Sequence, residues 1–203
     1  VSRQGGDEFV VLLNRLAEVS GELVRLSVVD GERLTWVARA QGARQGLRYD
    51  PDMGSDARLS CSSSGWAWLS TLNDDEGLAL VAKQGLGQPD QFGPDAPTTL
   101  RAVLDAVHTT REQGYSMTTD TYSLGLSAIS APVRLAKQPA MGVLTIAGPT
   151  VRFTAERMQS LTPELLSVAS QLAAASSASP FFNLTTDTGE AGTDTGRKPI
   201  YAV

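Results

Sequence analysis

The sequence predicts an α+β fold in which an antiparallel sheet is flanked by helices. Three observations predict it. Segments of period-two alternation are interspersed with segments of helical period along the chain. The strand candidates join through short hairpin connections, which only antiparallel neighbours allow. Neither a G-x-G-x-x-G after a strand nor a P-loop occurs, so the parallel nucleotide-binding architectures have no support. With 203 residues, 41% hydrophobic and 19% charged, the chain has enough apolar material for a core and does not read as disordered.

Residues 7–22 carry Phe9, Leu12, Leu13, Leu16 and Val19 at helical spacing, with Gly21 as a stop. Residues 23–40 read as a β-hairpin. Val24, Leu26 and Val28 alternate with Leu23, Arg25 and Ser27, Leu34, Trp36 and Ala38 alternate on the return, and Asp30-Gly31 makes the turn. The polar, glycine-containing residues 39–56 follow, with a third short strand expected at 47–49. Residues 62–72 read as a short helix holding Trp66 and Trp68. Positions two apart on a helix face different sides, so one tryptophan is expected in the core and the other toward a partner subunit.

Residues 74–85 read as a second helix, capped by Asn73 or Asp74 with acids in the first turn. A Gly/Pro loop spans 85–97. Residues 98–114 predict a strong helix with Leu100, Val103, Leu104 and Val107 on one face and Gly114 after it. A short strand and a loop start at 115, a longer strand lies near 126–133, and its hairpin partner covers 141–147. Residues 154–177 predict a long helix in which Pro163 marks a break or a fresh start. The Thr/Gly/Asp-rich tail, residues 180–203, has the composition of a disordered segment. This order of elements fits a GAF-like sandwich.

The net charge is −5 and Lys and Arg are not clustered, so the chain as given is a poor nucleic-acid binder. No apolar run approaches the roughly 20 residues that span a bilayer, and no basic-then-apolar leader opens the chain. One cysteine makes no intrachain disulfide, which fits a reducing cytoplasm. With one histidine it leaves no Cys/His zinc site, and neither metal nor cofactor is expected. The chain begins at Val1 rather than Met, as expected of a piece of a longer protein.

The stretch RLSCSSSGWAWLS, residues 58–70, concentrates the polar chemistry. A serine or cysteine nucleophile needs a base, most often histidine. The single histidine, His108, lies one position off the apolar stripe of its helix and reads as a surface or boundary residue. A Ser-x-x-Lys pair is excluded, because Gly65, Trp66 and Ala67 stand three residues after Ser62, Ser63 and Ser64. An enzyme is therefore not expected. A Ser/Cys-dependent hydrolase stays as an alternative, as does a ligand-free oligomerisation domain. One serine suffices as a helix N-cap. The remaining hydroxyls, beside free N–H groups of a first turn, make a site for a carboxylate without any lysine or arginine. Cys61 reads as a packed bystander.

Four stretches, in order, resemble the C-terminal effector-binding domain of IclR-type bacterial transcriptional regulators. The hairpin LVRLSVVDGERLTWVARA is similar to that family's early hairpin. ARLSCSSSGWAWLSTL falls at its small-residue helix start, with Gly65, Ala67 and Leu69 fitting and Trp66 in place of the usual lysine. TREQGYSMTTDTYSLGLSAISAPV resembles its Arg-x-x-Gly-Tyr, acidic loop, Gly-Leu and Ala-Pro-Val pattern. MGVLTIAGPTVRFT resembles its closing strand and Gly-Pro turn.

The resemblance implies a GAF-like effector-binding domain over residues 1–179 and a DNA-binding winged helix-turn-helix preceding it, outside this chain. It implies a homodimer or homotetramer that contacts DNA only through that missing domain. It also implies a pocket for a small organic acid between sheet, helix start and acidic loop. Its lining carries over to Ser62, Ser63 and Ser64 at the helix start, Thr118 in the loop, Ala128 on one strand, and Thr145 and Ala147 on the last. Relatives often have Asp, Cys and Ser at the loop and strand positions. The trade of several polar groups for Ala and Thr on the strands, with hydroxyls added at the helix start, leaves room for an acid with a larger apolar or aromatic body.

Overall fold

A computed structural model describes residues 3–176; the tail expected over 180–203 lies outside the described residues. The chain runs α1 (Arg3–Ser20), β1 (Leu23–Asp30), β2 (Arg33–Gln41), α2 (Ser63–Leu69), α3 (Asp74–Gln84), α4 (Leu100–Gln113), β3 (Ser116–Thr119), β4 (Leu126–Val133), β5 (Gly142–Pro149) and α5 (Ala155–Ser176), with a 3₁₀ turn at Pro89–Gln91. The strands form one antiparallel sheet in the order β2-β1-β5-β4-β3. This is the expected α+β, GAF-like arrangement.

Strand alternation sorts the core onto the two faces. Val24, Leu26, Ile129, Ala131, Leu144 and Ile146 pack against α1 and α5 through Leu12, Leu13, Leu16, Leu165 and Leu172. On the other face Leu34, Trp36 and Val143 meet Trp66, Ala67, Trp68, Val103 and Val107 of α2 and α4. Because helices cover both faces, β1 is buried along most of its length. β5 is likewise buried along its whole length, and buried polar residues such as Ser27, Ser127, Ser130 and Thr145 stand among the apolar ones.

Gly31, at φ 61°, is the first central residue of the β1–β2 turn, where positive φ suits glycine. The β1–β2 register then slips once. Leu26 faces Ala38 but Ser27 faces Trp36, so Val37 is the extra residue of a bulge. The slip turns Trp36 onto the face of Arg25 and Ser27 while Ala38 stays on the face of Leu26. The sequence expectation placed Trp36 and Ala38 together; the bulge separates them.

Other expectations need correction. No strand forms at 47–49, where a side chain takes up the backbone's bonding: the Gln41 amide donates to the Tyr49 carbonyl at 2.9 Å. An isolated bridge, Thr35 with Asp56, is instead made further along. Pro163 does not break α5. The carbonyl it leaves unbonded, that of Gln159, accepts the Thr162 hydroxyl at 2.8 Å, and the helix runs on. Val19 and Leu100, expected on buried faces, are exposed because each lies near the helix end, beyond the neighbouring layer.

Both tryptophans of α2 are buried, so neither is left for a partner subunit. The helix is short and enclosed on all sides by the sheet, α4 and the preceding loop. The Trp66 indole N–H finds the Ser60 carbonyl at 3.0 Å. Among the described residues no helix is long and apolar enough to cross a membrane.

Candidate functional site

A cavity opens between the α2 face of the sheet, the start of α2 and the irregular segment 49–58. The cavity volume is about 50 Å³, within about 560 Å³ of atom-free space that includes open solvent at the mouth. Its floor follows from strand register. Arg25 on β1 lies opposite Thr145 on β5, and Thr145 opposite Ser130 on β4. In the next row Ala147 lies opposite Ala128, and Ala128 opposite Thr118 on β3. Sharing one face and one end of the sheet, Arg25, Thr118, Ala128, Thr145 and Ala147 reach the same space. Ser62, Ser63 and Ser64 form the opposite wall.

All seven residues singled out from the sequence therefore line this cavity. Thr118 does so from a strand rather than the expected loop. The two small alanines leave the floor low, as small side chains must where helix and sheet do not touch.

The serines are more committed than expected. Ser62 is the N-cap of α2: its hydroxyl accepts from the Gly65 N–H at 3.0 Å and donates to the Arg58 carbonyl. The Ser64 hydroxyl donates to Ser62 at 3.3 Å. The Ser63 hydroxyl lies 2.7 Å from that of Ser116, which in turn donates to the Ser63 carbonyl at 2.5 Å. The Thr145 hydroxyl lies 2.7 Å from that of Ser130. The polar wall is thus pre-bonded, and its remaining capacity toward a ligand is mostly lone pairs.

The missing positive group is Arg25, which the sequence reading left out by expecting a carboxylate site without arginine. It is 8% exposed, its Nε has no hydrogen-bond partner, and no carboxylate is among the groups whose charge acts on it. Its guanidinium lies 3.7 Å from the Trp36 ring centroid and 5.6 Å from that of Tyr49. Burial pushes the Arg25 pKa below its ordinary value, with Tyr49 opposing, and burial pushes Tyr49 up. An arginine nonetheless keeps its charge at physiological pH. Tyr49 also hydrogen-bonds the Arg25 side chain. A buried cation met by a phenol and aromatic rings is undercompensated, and an entering carboxylate would supply what it lacks.

Trp36, Tyr49 and Tyr122 add aromatic wall, and Arg58, Asp52 and Asp56 complete the charged lining. Arg25 carried one usable signal in the sequence, a charge in the middle of an apolar strand. Tyr49 and Tyr122 carried none, because irregular segments bring them in.

Among the described residues that line the cavity with the serines there is no histidine or lysine. His108 bonds Asp74 at 2.8 Å and is not among the cavity residues. The Cys61 thiol is buried, and burial pushes its pKa up to about 11, so almost no thiolate forms at neutral pH. Among the described residues no group of three or more His, Cys, Asp or Glu side chains could hold a metal ion.

The family model described as "Bacterial transcriptional regulator IclR C-terminal" matches residues 7–174. The acetate operon repressor of Salmonella typhimurium is 26% identical over 162 residues, covering 79% of this chain and 58% of the repressor. The crystal structure of the transcriptional regulator YaiJ superposes with a TM-score of 0.74 at 20% identity, covering 85% of this chain and 95% of that one. The inducer-binding domain of PobR from Acinetobacter, a double mutant solved with 3-hydroxybenzoic acid, gives a TM-score of 0.70 at 24% identity, covering 80% and 94%. These two structures share the fold. The chain spans little more than half the length of the curated relatives, at 58% and 52% for two of them.

Proposed function

Because the chain belongs to the family of IclR C-terminal domains of bacterial transcriptional regulators, we propose that it is the effector-binding module of such a regulator. Its effector is a small organic acid with an apolar or aromatic body, held in the cavity between α2 and the sheet. Arg25 binds the carboxylate, Ser62, Ser63, Ser64, Thr118 and Thr145 supply fixed polar contacts, and Ala128 and Ala147 leave space for the apolar body. The observation that carries this reading is the buried Arg25, its Nε without a partner, lining a cavity walled by hydroxyls and aromatic rings. PobR, whose inducer-binding domain was solved with an aromatic acid, lends the reading support by chemistry of the same kind.

In this reading the module acts as a homodimer or homotetramer and reaches DNA through a separate N-terminal domain. Signalling then requires that the acid favour one assembly state over another, since equal affinity for both shifts nothing.

Thermal-shift screening with a panel of aliphatic and aromatic carboxylic acids tests the proposal. A ligand selective for the folded state at 100 times its Kd adds about 2.7 kcal/mol to the apparent stability. At least one acid is expected to raise Tm, and Arg25→Gln is expected to remove that rise while the amides of the same acids have no effect. A panel without any shift overturns the reading.

A further inference from the structure

Two arginines line the cavity, and they share an unusual feature. Each has a buried Nε that lacks a hydrogen-bond partner. A buried donor without an acceptor is costly, and two such cations lining one space call for two acceptors. Arg25 is one. Arg58, half-buried at the other side of the start of α2, is the second.

The two cations are anchored apart. Arg25 projects from the middle of β1 onto the Trp36 ring. Arg58 is tied to the loop after α3: its Nη2 donates to the Gly85 carbonyl at 2.8 Å, and its guanidinium lies 5.2 Å from the Phe92 ring centroid. One carboxylate bridging both arginines therefore fits poorly. The acids at the cavity do not answer them either. Asp56 is held by Arg33 at 3.1 Å and by the Thr35 hydroxyl at 3.3 Å, and Asp52 is exposed at the mouth.

We propose that the effector is a dicarboxylic acid, with one carboxylate on Arg25, the other on Arg58, and the apolar body between them over Ala128 and Ala147. This deepens the effector-binding reading above and rests on it. The strand floor supplies the gap that separates the two charges, and the arginine fork suits a carboxylate at each end. The Arg58 end also joins the ligand to the loop that follows α3, through Gly85 and Phe92.

Calorimetric titration of the protein with matched pairs tests this: glutarate and adipate against valerate and hexanoate, and isophthalate and terephthalate against benzoate. At least one dicarboxylate is expected to bind about 10-fold or more tightly than its matched monocarboxylate. In Arg58→Gln that ratio is expected to fall to about 1, and Arg58→Lys, which keeps the charge, is expected to restore part of it. The wild-type ratios need no variant, so a misfolded Arg58→Gln does not spoil the test. Monocarboxylates that bind as well as or better than their partners overturn the dicarboxylate while leaving an acid effector standing. A dicarboxylate preference that persists in folded Arg58→Gln overturns the role of Arg58. Absence of binding by every acid of both kinds overturns the effector-binding reading itself.

Discussion

Arg25 shows how one residue sets the character of the site. Its desolvation is opposed by the Trp36 ring and by Tyr49, with no carboxylate among the groups that act on it, so it is held at a cost to the unliganded protein. Arg25→Met, similar in length and apolar, is expected to make the unliganded domain more stable by about 1–3 kcal/mol, the usual range when an undercompensated buried charge is replaced by a packed apolar side chain. Urea unfolding with and without acid measures both halves, since the same variant is expected to lose the acid's stabilising effect. A destabilised Arg25→Met would mean that its contacts with Trp36 and Tyr49 outweigh its desolvation. At this scale the sequence was partly legible. The serine run and the strand positions Ala128, Thr145 and Ala147 were identified by type and place, while Thr118 was expected in a loop. Arg25 was passed over because alternation alone does not say that a charged strand position faces a cavity rather than solvent.

At the scale of the element, α5 and β2 depart from local rules in opposite ways. In α5 a proline is tolerated because Thr162 covers the carbonyl that Pro163 leaves open. Thr162→Val is expected to cost about 1 kcal/mol, the net worth of one hydrogen bond. Pro163→Ala restores the N–H that can reach Gln159, so its gain is expected to be larger in the Thr162→Val background than in the wild type. A double-mutant cycle by chemical denaturation measures the coupling, and equal gains in both backgrounds would show that the hydroxyl does not compensate the proline. In β2 the bulge at Val37 breaks strict alternation and delivers Trp36 to the site. Both features defeat a reading based on period alone. A proline is scored as a breaker before its neighbour's hydroxyl is known, and a bulge is invisible until the partner strand sets the register.

At the scale of the molecule, the α1 layer is seated on the β1–β2 sheet edge by close backbone approach. A Cβ on Gly42 would stand 2.1 Å from the Ala17 carbonyl oxygen and 2.6 Å from that of Glu22, both backbone atoms that cannot swing aside. Gly42 also donates its N–H to the Glu22 carbonyl at 3.0 Å. Gly42→Ala is expected to destabilise the domain by more than about 2 kcal/mol, as overpacking against fixed backbone does, with a fall in Tm of several degrees by differential scanning calorimetry. Gly54→Ala, which meets nothing within 4 Å, is the matched control, expected within about 0.5 kcal/mol of wild type.

The sequence by itself determined the α+β class, the β1–β2 and β4–β5 hairpins and the helices to within a few residues, because apolar period, caps and glycine stops are local properties. Its resemblance to a family pointed to the small and hydroxyl residues at the start of α2 and on β4 and β5. Only the tertiary structure decided that both tryptophans of α2 are core, that Thr118 stands on a strand, and that segment 49–58 walls the cavity. Only it decided that Arg25 and Arg58 both line that space, each with a buried Nε that lacks a partner. Those facts depend on which surfaces meet across the sheet, and burial of a charge or of a donor is a property of the meeting surfaces, not of the residue that carries it.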